Sequence, residues 1–138
     1  MGNAKSFNKI SFEDVQYVIE HKSGLLINTL PTNEQDCLIK GTILAQEEEK
    51  TVNELLSRSN SIKTIVVYGK HCNDETIYTK YNQLMSLGLF NVYLYVGGLF
   101  EWLLLQDTYG DDNFSTTIKE LDHLKFKPRP LFLNCIER

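Results

Sequence analysis

The sequence predicts an α/β fold with a central, mostly parallel β-sheet flanked by helices on both sides. Three segments favour it: the β-branched run Thr64–Tyr68, a helical stretch that ends at Gly88, and a second apolar run over residues 91–96. Two apolar strands joined by a helix form a βαβ unit, in which the strands are parallel and neighbouring. Residues 69–75, the candidate loop, then lie at the carboxyl end of the sheet, where such folds bind ligands.

The length and composition indicate one acidic domain. The chain has 138 residues and a formal net charge of −4, which argues against nucleic acid as a partner because phosphate binding needs a basic face. The three cysteines are Cys37, Cys72 and Cys135, and none forms a C-x-x-C pair. This pattern predicts reduced thiols in a cytoplasmic compartment rather than a disulfide framework. We expect no metal site and no cofactor.

The N-terminus carries a lipidation motif. The first six residues match M-G-x-x-x-[ST], so loss of Met1 would expose Gly2 for N-myristoylation. One acyl chain anchors a protein only marginally, and the predicted membrane attachment is therefore weak, reversible and peripheral. The alternative is that residues 1–8 are an ordinary polar leader. No apolar run approaches the length of a bilayer span.

The first half of the chain alternates helical and extended patterns. A capping-box pattern at Ser11 opens a helix over Phe12–His21, which we expect to end at Ser23-Gly24. The apolar run 25–30 predicts a buried strand, and residues 32–37 predict one helical turn. Residues 38–44 predict a brief strand interrupted by a glycine turn.

The second half continues the alternation. A helix is predicted from Glu47, because carboxylates suit the positive end of a helix. The central helix has an apolar stripe made of Ile77, Tyr81, Leu84, Met85 and Leu87. A short helix follows over residues 99–105, then a loop over 109–113 and a last helix from Thr117 to about Leu124. We expect residues 111–138 to form a C-terminal helix and an extension packed on the domain.

Six pieces of sequence, in this order, carry a resemblance to a known family. They are residues 10–15, 26–29, the turn Ile39-Lys40-Gly41-Thr42-Ile43, residues 65–68, residues 87–93 and Gly97-Gly98-Leu99-Phe100-Glu101-Trp102. The turn resembles the H-I-P-G-A-I turn of rhodanese-like domains, the small α/β fold of sulfurtransferases, and the last piece resembles their G-G-x-x-x-W. The resemblance implies that fold over roughly residues 9–110.

The resemblance also implies a loop chemistry from which this chain departs. Active members place a cysteine directly after the central strand, in a C-x-x-G-x-R loop whose backbone N–H groups stabilise a thiolate and its persulfide. Here Gly69 stands at that position, and Cys72 follows three residues later. Asn28 and Leu30 replace the family's supporting Asp and Arg. The missing arginine also argues against the phosphatase use of this fold.

The candidate loop therefore supports two hypotheses. Its residues are Gly69, Lys70, His71, Cys72, Asn73, Asp74 and Glu75. Because Asp74 and Glu75 oppose thiolate formation, we expect a catalytically inactive module that binds or regulates a protein partner. The alternative is a sulfurtransferase that accepts sulfur from thiosulfate or a persulfide on Cys72, with Lys70 and His71 as cationic help. Asn73 or Asp74 is predicted to cap the following helix.

Overall fold

A four-stranded parallel sheet organises the part of the chain that the computed structural model describes, residues 6–58 and 63–132. The strands are β1 (Lys9–Ile10), β2 (Gly24–Asn28), β3 (Thr64–Tyr68) and β4 (Val92–Tyr95), in the order β1-β4-β3-β2. Strands β3 and β4 pair in parallel, so the predicted βαβ unit is confirmed. Gly2 and Cys135 lie outside the described residues.

Helices cover both faces of this sheet, as predicted. They are α1 (Phe12–His21), α2 (Ala45–Ser57), α3 (Thr76–Ser86) and α4 (Gly98–Tyr109), with 3-10 turns at Thr32–Glu34 and His123–Phe126. Side chains of a strand alternate between its faces. Val66 and Tyr68 accordingly pack with α1 and α4, whereas Ile65 and Val67 pack with α2 and α3. The sheet thus separates two hydrophobic cores.

Helix α1 spans Phe12–His21, as the sequence predicts, but a different residue terminates it. The Asp14 carboxylate accepts a hydrogen bond from the Ser11 backbone N–H at 3.0 Å, which fixes the first turn. Lys22 ends the helix in a left-handed conformation with φ 49°, so Ser23-Gly24 is not the stop. Gly24 is instead the first residue of β2. The neighbouring strand explains the glycine, because a Cβ at this position would lie 2.7 Å from the Thr64 carbonyl oxygen.

The brief strand expected over residues 38–44 does not form. Only single bridges occur in this segment, Leu26 with Thr42 and Ile39 with Thr116. Gly41, at φ +93°, turns the chain between them. The Ile43 N–H donates to the Leu26 carbonyl at 2.9 Å, which ties the turn to the outer edge of β2.

The last predicted helix was wrong. The Thr117 N–H donates to the Leu38 carbonyl at 2.8 Å, and the Thr117 hydroxyl accepts from the Leu38 N–H at 3.0 Å. This pairing competes with a helix that starts at Thr117, and Leu121, 79% exposed, supplies no buried face for one. A 3-10 turn at His123–Phe126 follows instead, and Phe126 is buried in the core that α1 and α4 share.

Two smaller expectations also change. Leu87 is half exposed and is the C-cap of α3 rather than part of its buried stripe, because Gly88 reverses the chain at φ +103°. Helix α4 extends to Tyr109 and so includes the first residue of the expected loop. Within residues 6–58 and 63–132, none of the helices combines the length and apolar character that a membrane crossing requires.

Candidate functional site

The candidate loop sits between the carboxyl end of β3 and the first turn of α3, against the start of α4. The Leu99 N–H donates to the Gly69 carbonyl at 3.0 Å, and the Phe100 N–H donates to the Lys70 carbonyl at 2.9 Å. Gly98, at φ +71°, permits this approach, since a Cβ there would lie 2.8 Å from the Gly69 oxygen. The first two residues of the loop are therefore bonded to the start of α4.

The Asp74 carboxylate occupies the centre of the loop. Its Oδ2 accepts from the Lys70 N–H at 2.8 Å, and its Oδ1 accepts from the Thr76 N–H at 3.0 Å. Burial alone would raise the pKa of Asp74, but the hydrogen bonds from Thr76 and Lys70 outweigh it and hold the pKa below its ordinary range. The N-cap of α3 is Glu75 rather than the predicted Asn73 or Asp74, but the ionised Asp74 carboxylate, one residue earlier, bonds the first N–H group of the helix.

Gly69 leaves the space that this carboxylate fills. A Cβ at Gly69 would overlap Asp74 Oδ2, lie 2.9 Å from Asp74 Cγ and lie 3.0 Å from a methyl carbon of Ile77. Atoms at such distances overlap, so a side chain at position 69 fits only if Asp74 moves. The position at which the resemblance places a nucleophile is therefore both empty of a side chain and blocked by a neighbouring one.

Cys72 lies on the exposed rim of the loop. Among the described residues, the one hydrogen-bond partner of its Sγ is Asn73 Oδ1, at 3.9 Å. Neither of the two expected cationic neighbours supplies a free positive charge. Lys70 Nζ lies 2.6 Å from Glu34 Oε1. The pKa of His71 is lowered, because burial lowers it more than the charge of Asp74 raises it, and this disfavours the charged ring. The loop brings these groups together in sequence without directing a positive charge at the thiol.

Sequence reasoning missed the contribution to this site of the segment that follows β2. Thr76 Oγ1 lies 2.7 Å from Thr29 Oγ1 and 2.6 Å from Asp74 Oδ1, and Glu34 supplies the partner of Lys70. The sequence could have indicated these residues only through the rule that parallel strands end at the same edge of a sheet. It does not show that β2 pairs with β3, so it could not place Thr29 and Glu34 beside the loop.

Asn28 and Leu30, which replace the family's supporting pair, are buried away from solvent. The Asn28 side-chain carbonyl accepts from the Leu30 N–H at 3.0 Å, so its function is to turn the chain after β2. Cys37 is 2% exposed and behaves as a core thiol. In the described part of the chain, no cluster of three or more His, Cys, Asp or Glu side chains could hold a metal ion.

Comparisons with known proteins agree on the fold. A profile of the rhodanese-like domain family matches residues 12–105. A search of curated proteins found no match. The fold is similar to the rhodanese-like domain of an Anabaena protein solved by solution NMR, with a TM-score of 0.54, 22% identity, and 76% of this chain and 77% of that chain covered.

Two further solved structures are similar. A crystal structure of a Rhodanese_3 like domain, also from Anabaena, gives a TM-score of 0.50 at 22% identity and covers 70% of this chain and 94% of that chain. A full-length protein from Lactobacillus plantarum gives 0.50 at 19% identity, covering 71% and 82%. Because the family profile spans more than half of the residues and the parallel sheet has the fold of these solved domains, this chain belongs to the rhodanese-like domain family.

Proposed function

We propose that this rhodanese-like domain is a catalytically inactive module that binds or regulates a protein partner. The observation that carries the proposal is the position of the Asp74 carboxylate inside the candidate loop. It accepts hydrogen bonds from the N–H of Lys70 in the loop and from the N–H of Thr76, the first residue of α3. Sulfur transfer needs a thiolate whose charge is stabilised by free loop N–H donors. Here the Asp74 side chain takes one such donor in the loop and a second at the start of α3.

The charge of the loop supports the same proposal. An incoming thiosulfate ion would meet the ionised Asp74, and like charges repel at short range. The Lys70 ammonium, which could attract the ion, already lies 2.6 Å from the Glu34 carboxylate. The loop therefore lacks the unpaired positive charge that anion capture requires.

The rigidity of the loop supports binding to a macromolecule. Residues 69 and 70 are bonded to α4, and Asp74 fixes the other end of the loop to α3. A surface that is already ordered loses little conformational entropy when a partner docks. Cys72, Asn73 and Glu75 are exposed on this ordered loop and form the surface that we propose the partner contacts.

The experiment that tests inactivity is thiosulfate:cyanide turnover by the purified protein, with an active rhodanese as positive control. Mass spectrometry of the same samples detects the persulfide as one added sulfur atom. We expect no turnover and no adduct from protein whose folding is confirmed by circular dichroism. Cys72→Ala is the matched variant.

The competing hypothesis is a sulfurtransferase that uses Cys72, and the exposure of this thiol favours it. Turnover and an adduct that are present in the wild type and absent in Cys72→Ala would support it and overturn our proposal. Turnover that persists in Cys72→Ala would point to contaminating enzyme.

Anion binding can be tested separately from chemistry. Titration of thiosulfate into labelled protein should leave the amide resonances of Lys70 and Thr76 unchanged, because both donate to Asp74. In Asp74→Ala these donors are released, and we expect both resonances to shift. Equal shifts in the two proteins would show that the carboxylate does not block the loop.

The proposal includes the weak membrane attachment predicted for Gly2. Co-expression with an N-myristoyltransferase, followed by mass spectrometry, should show an acyl adduct that Gly2→Ala lacks. Vesicle sedimentation of the two proteins then measures the attachment, which should be partial because one chain anchors only marginally. Absence of the adduct from the wild type would leave the module without this anchor.

A further inference from the structure

A groove at the amino-terminal end of β2 combines an apolar floor with two lysines. It has a volume of about 460 Å³, within the range of small-molecule sites. The lining residues include Val18, Ile19, Lys22, Leu26, Lys40 and Ser115. This lysine groove is remote from the candidate loop, which follows the carboxyl end of β3, and its test is independent of the proposed function.

The floor of the lysine groove is part of the hydrophobic core. Val18 and Leu26 are buried, and Ile19 packs against the same core from α1. Apolar atoms at the base of a groove favour a ligand with an apolar body, because burying each methylene removes hydrocarbon from water. The floor alone does not define the ligand.

The charge of the groove rim indicates which class of apolar ligand would bind. The chain has 18 acidic and 14 basic residues, yet no Asp or Glu in the described segments lines this groove, whereas Lys22 and Lys40 do. Neither lysine forms an ion pair with a carboxylate within residues 6–58 and 63–132. Two unpaired ammonium groups beside an apolar floor are complementary to an amphiphile with an anionic head.

We propose that the lysine groove binds a free, medium-chain fatty-acid anion, with its carboxylate at Lys22 and Lys40 and its chain on Val18, Ile19 and Leu26. The protein also contains its own reporter for this site. Its one tryptophan, Trp102, donates from Nε1 to the Ser115 carbonyl at 3.0 Å. The Lys40 N–H donates to the same oxygen at 3.0 Å, so the indole is connected to the groove wall.

The test is titration with decanoate below the concentration at which it forms micelles, followed by calorimetry and by Trp102 fluorescence. We expect one saturable site. Affinity should rise roughly tenfold or more from hexanoate to decanoate, since each buried methylene contributes about two- to fourfold. Binding without dependence on chain length, or no binding at all, would overturn the proposal.

Charge is tested with the double variant Lys22→Gln, Lys40→Gln. Its affinity for decanoate should fall about five- to tenfold, while its affinity for the uncharged 1-decanol should match that of the wild type. Lys50→Gln, on α2 at the opposite face of the sheet, is the matched control and should bind as the wild type does. Equal decanoate affinities in all three proteins would contradict the assigned head-group site.

The location is tested in the wild type, so that it does not depend on the folding of a variant. On addition of decanoate, the methyl resonances of Val18 and Leu26 should shift, and those of Leu84, buried on the α3 side, should not. Shifts confined to Leu84, or spread equally over both cores, would place the ligand elsewhere and overturn the proposal.

Discussion

Asp74 Oδ2 accepts the backbone N–H of Lys70 at 2.8 Å and thereby closes the candidate loop on itself. The other carboxylate oxygen accepts from the N–H of Thr76, so one side chain joins the end of β3 to the first turn of α3. The contact has a structural and a chemical consequence. It stabilises a loop that connects two buried elements, and it takes the donors that an anionic substrate would need.

The structural consequence predicts a loss of stability in Asp74→Ala. Removal of the carboxylate leaves the Lys70 N–H in the loop and the Thr76 N–H at the start of α3 without their partner. We expect the free energy of unfolding to fall by about 1–3 kcal/mol, measured by urea denaturation. Glu75→Ala is the matched control, because Glu75 is exposed and its side chain makes no capping hydrogen bond. Equal losses in the two variants would contradict the assigned role.

The same carboxylate predicts a pH dependence of stability. Its pKa in the folded protein is lowered from the ordinary value of 3.8, although burial opposes the shift. The unfolded chain therefore binds the proton more readily, and the stabilisation is present above pH 3.8 and is lost as the pH falls through the folded pKa. The stability difference between the wild type and Asp74→Asn should shrink over this range. A constant difference would show that Asp74 is not responsible.

Gly98 is predicted to be the glycine least able to accept a side chain near the loop. It has φ +71°, and a Cβ would lie 2.8 Å from the Gly69 carbonyl oxygen and 3.0 Å from the His71 backbone nitrogen. Gly88 has a similarly positive φ of +103° but nothing within 4 Å of a Cβ. Gly88→Ala should therefore cost about 1 kcal/mol for backbone strain alone.

Gly98→Ala should cost clearly more than Gly88→Ala, because backbone atoms of the loop must move as well. Thermal and urea unfolding of the two variants measure the difference. Faster amide exchange at Leu99 and Phe100, which donate to the loop, should accompany the loss in Gly98→Ala. If the two substitutions were equally costly, the close approach of α4 to the loop would have no energetic weight.

The sequence predicted the sheet and its helices where local pattern and burial agree. The β-branched run Thr64–Tyr68 is continuously apolar, which is typical of a strand buried on both faces, and in the structure its alternate side chains do enter two cores. It failed at Thr117, where hydrogen bonds to the distant Leu38 replaced the local helix. A pairing of residues so far apart in the chain has no local signal.

The candidate loop likewise has features that the sequence could predict and features that it could not. Its position after β3 and a contact between Asp74 and the start of α3 were predictable, because both depend on neighbours in sequence. The ion pair of Lys70 with Glu34 and the overlap of a Cβ at Gly69 with Asp74 were not, because they depend on which strands neighbour each other and on interatomic distances. Local chemistry therefore indicated the candidate loop, and tertiary geometry determined its charge balance.

The Tyr68 hydroxyl provides the last prediction. Tyr68 is fully buried on β3, and its oxygen accepts from the Ile39 N–H at 3.1 Å and lies 2.7 Å from Thr42 Oγ1. Since Thr42 Oγ1 donates to the Ile39 carbonyl at 2.6 Å, the Tyr68 hydroxyl is the donor to Thr42. One phenol thus fixes the turn that follows Ile39 to the centre of the sheet.

Tyr68→Phe removes this anchor and keeps the ring. The Ile39 N–H is then buried without its partner, so we expect the free energy of unfolding to fall by about 1–3 kcal/mol and the Ile39 amide to exchange faster. Tyr93→Phe, which loses a half-buried hydroxyl bonded to the Asn91 side chain, is the matched control and should cost less. Because the turn from Ile39 to Gly41 leads into the lysine groove, Tyr68→Phe should also weaken decanoate binding, and Tyr93→Phe should not. Unchanged exchange at Ile39 in Tyr68→Phe would show that the bridges to Leu26 and Thr116 hold the turn without the phenol.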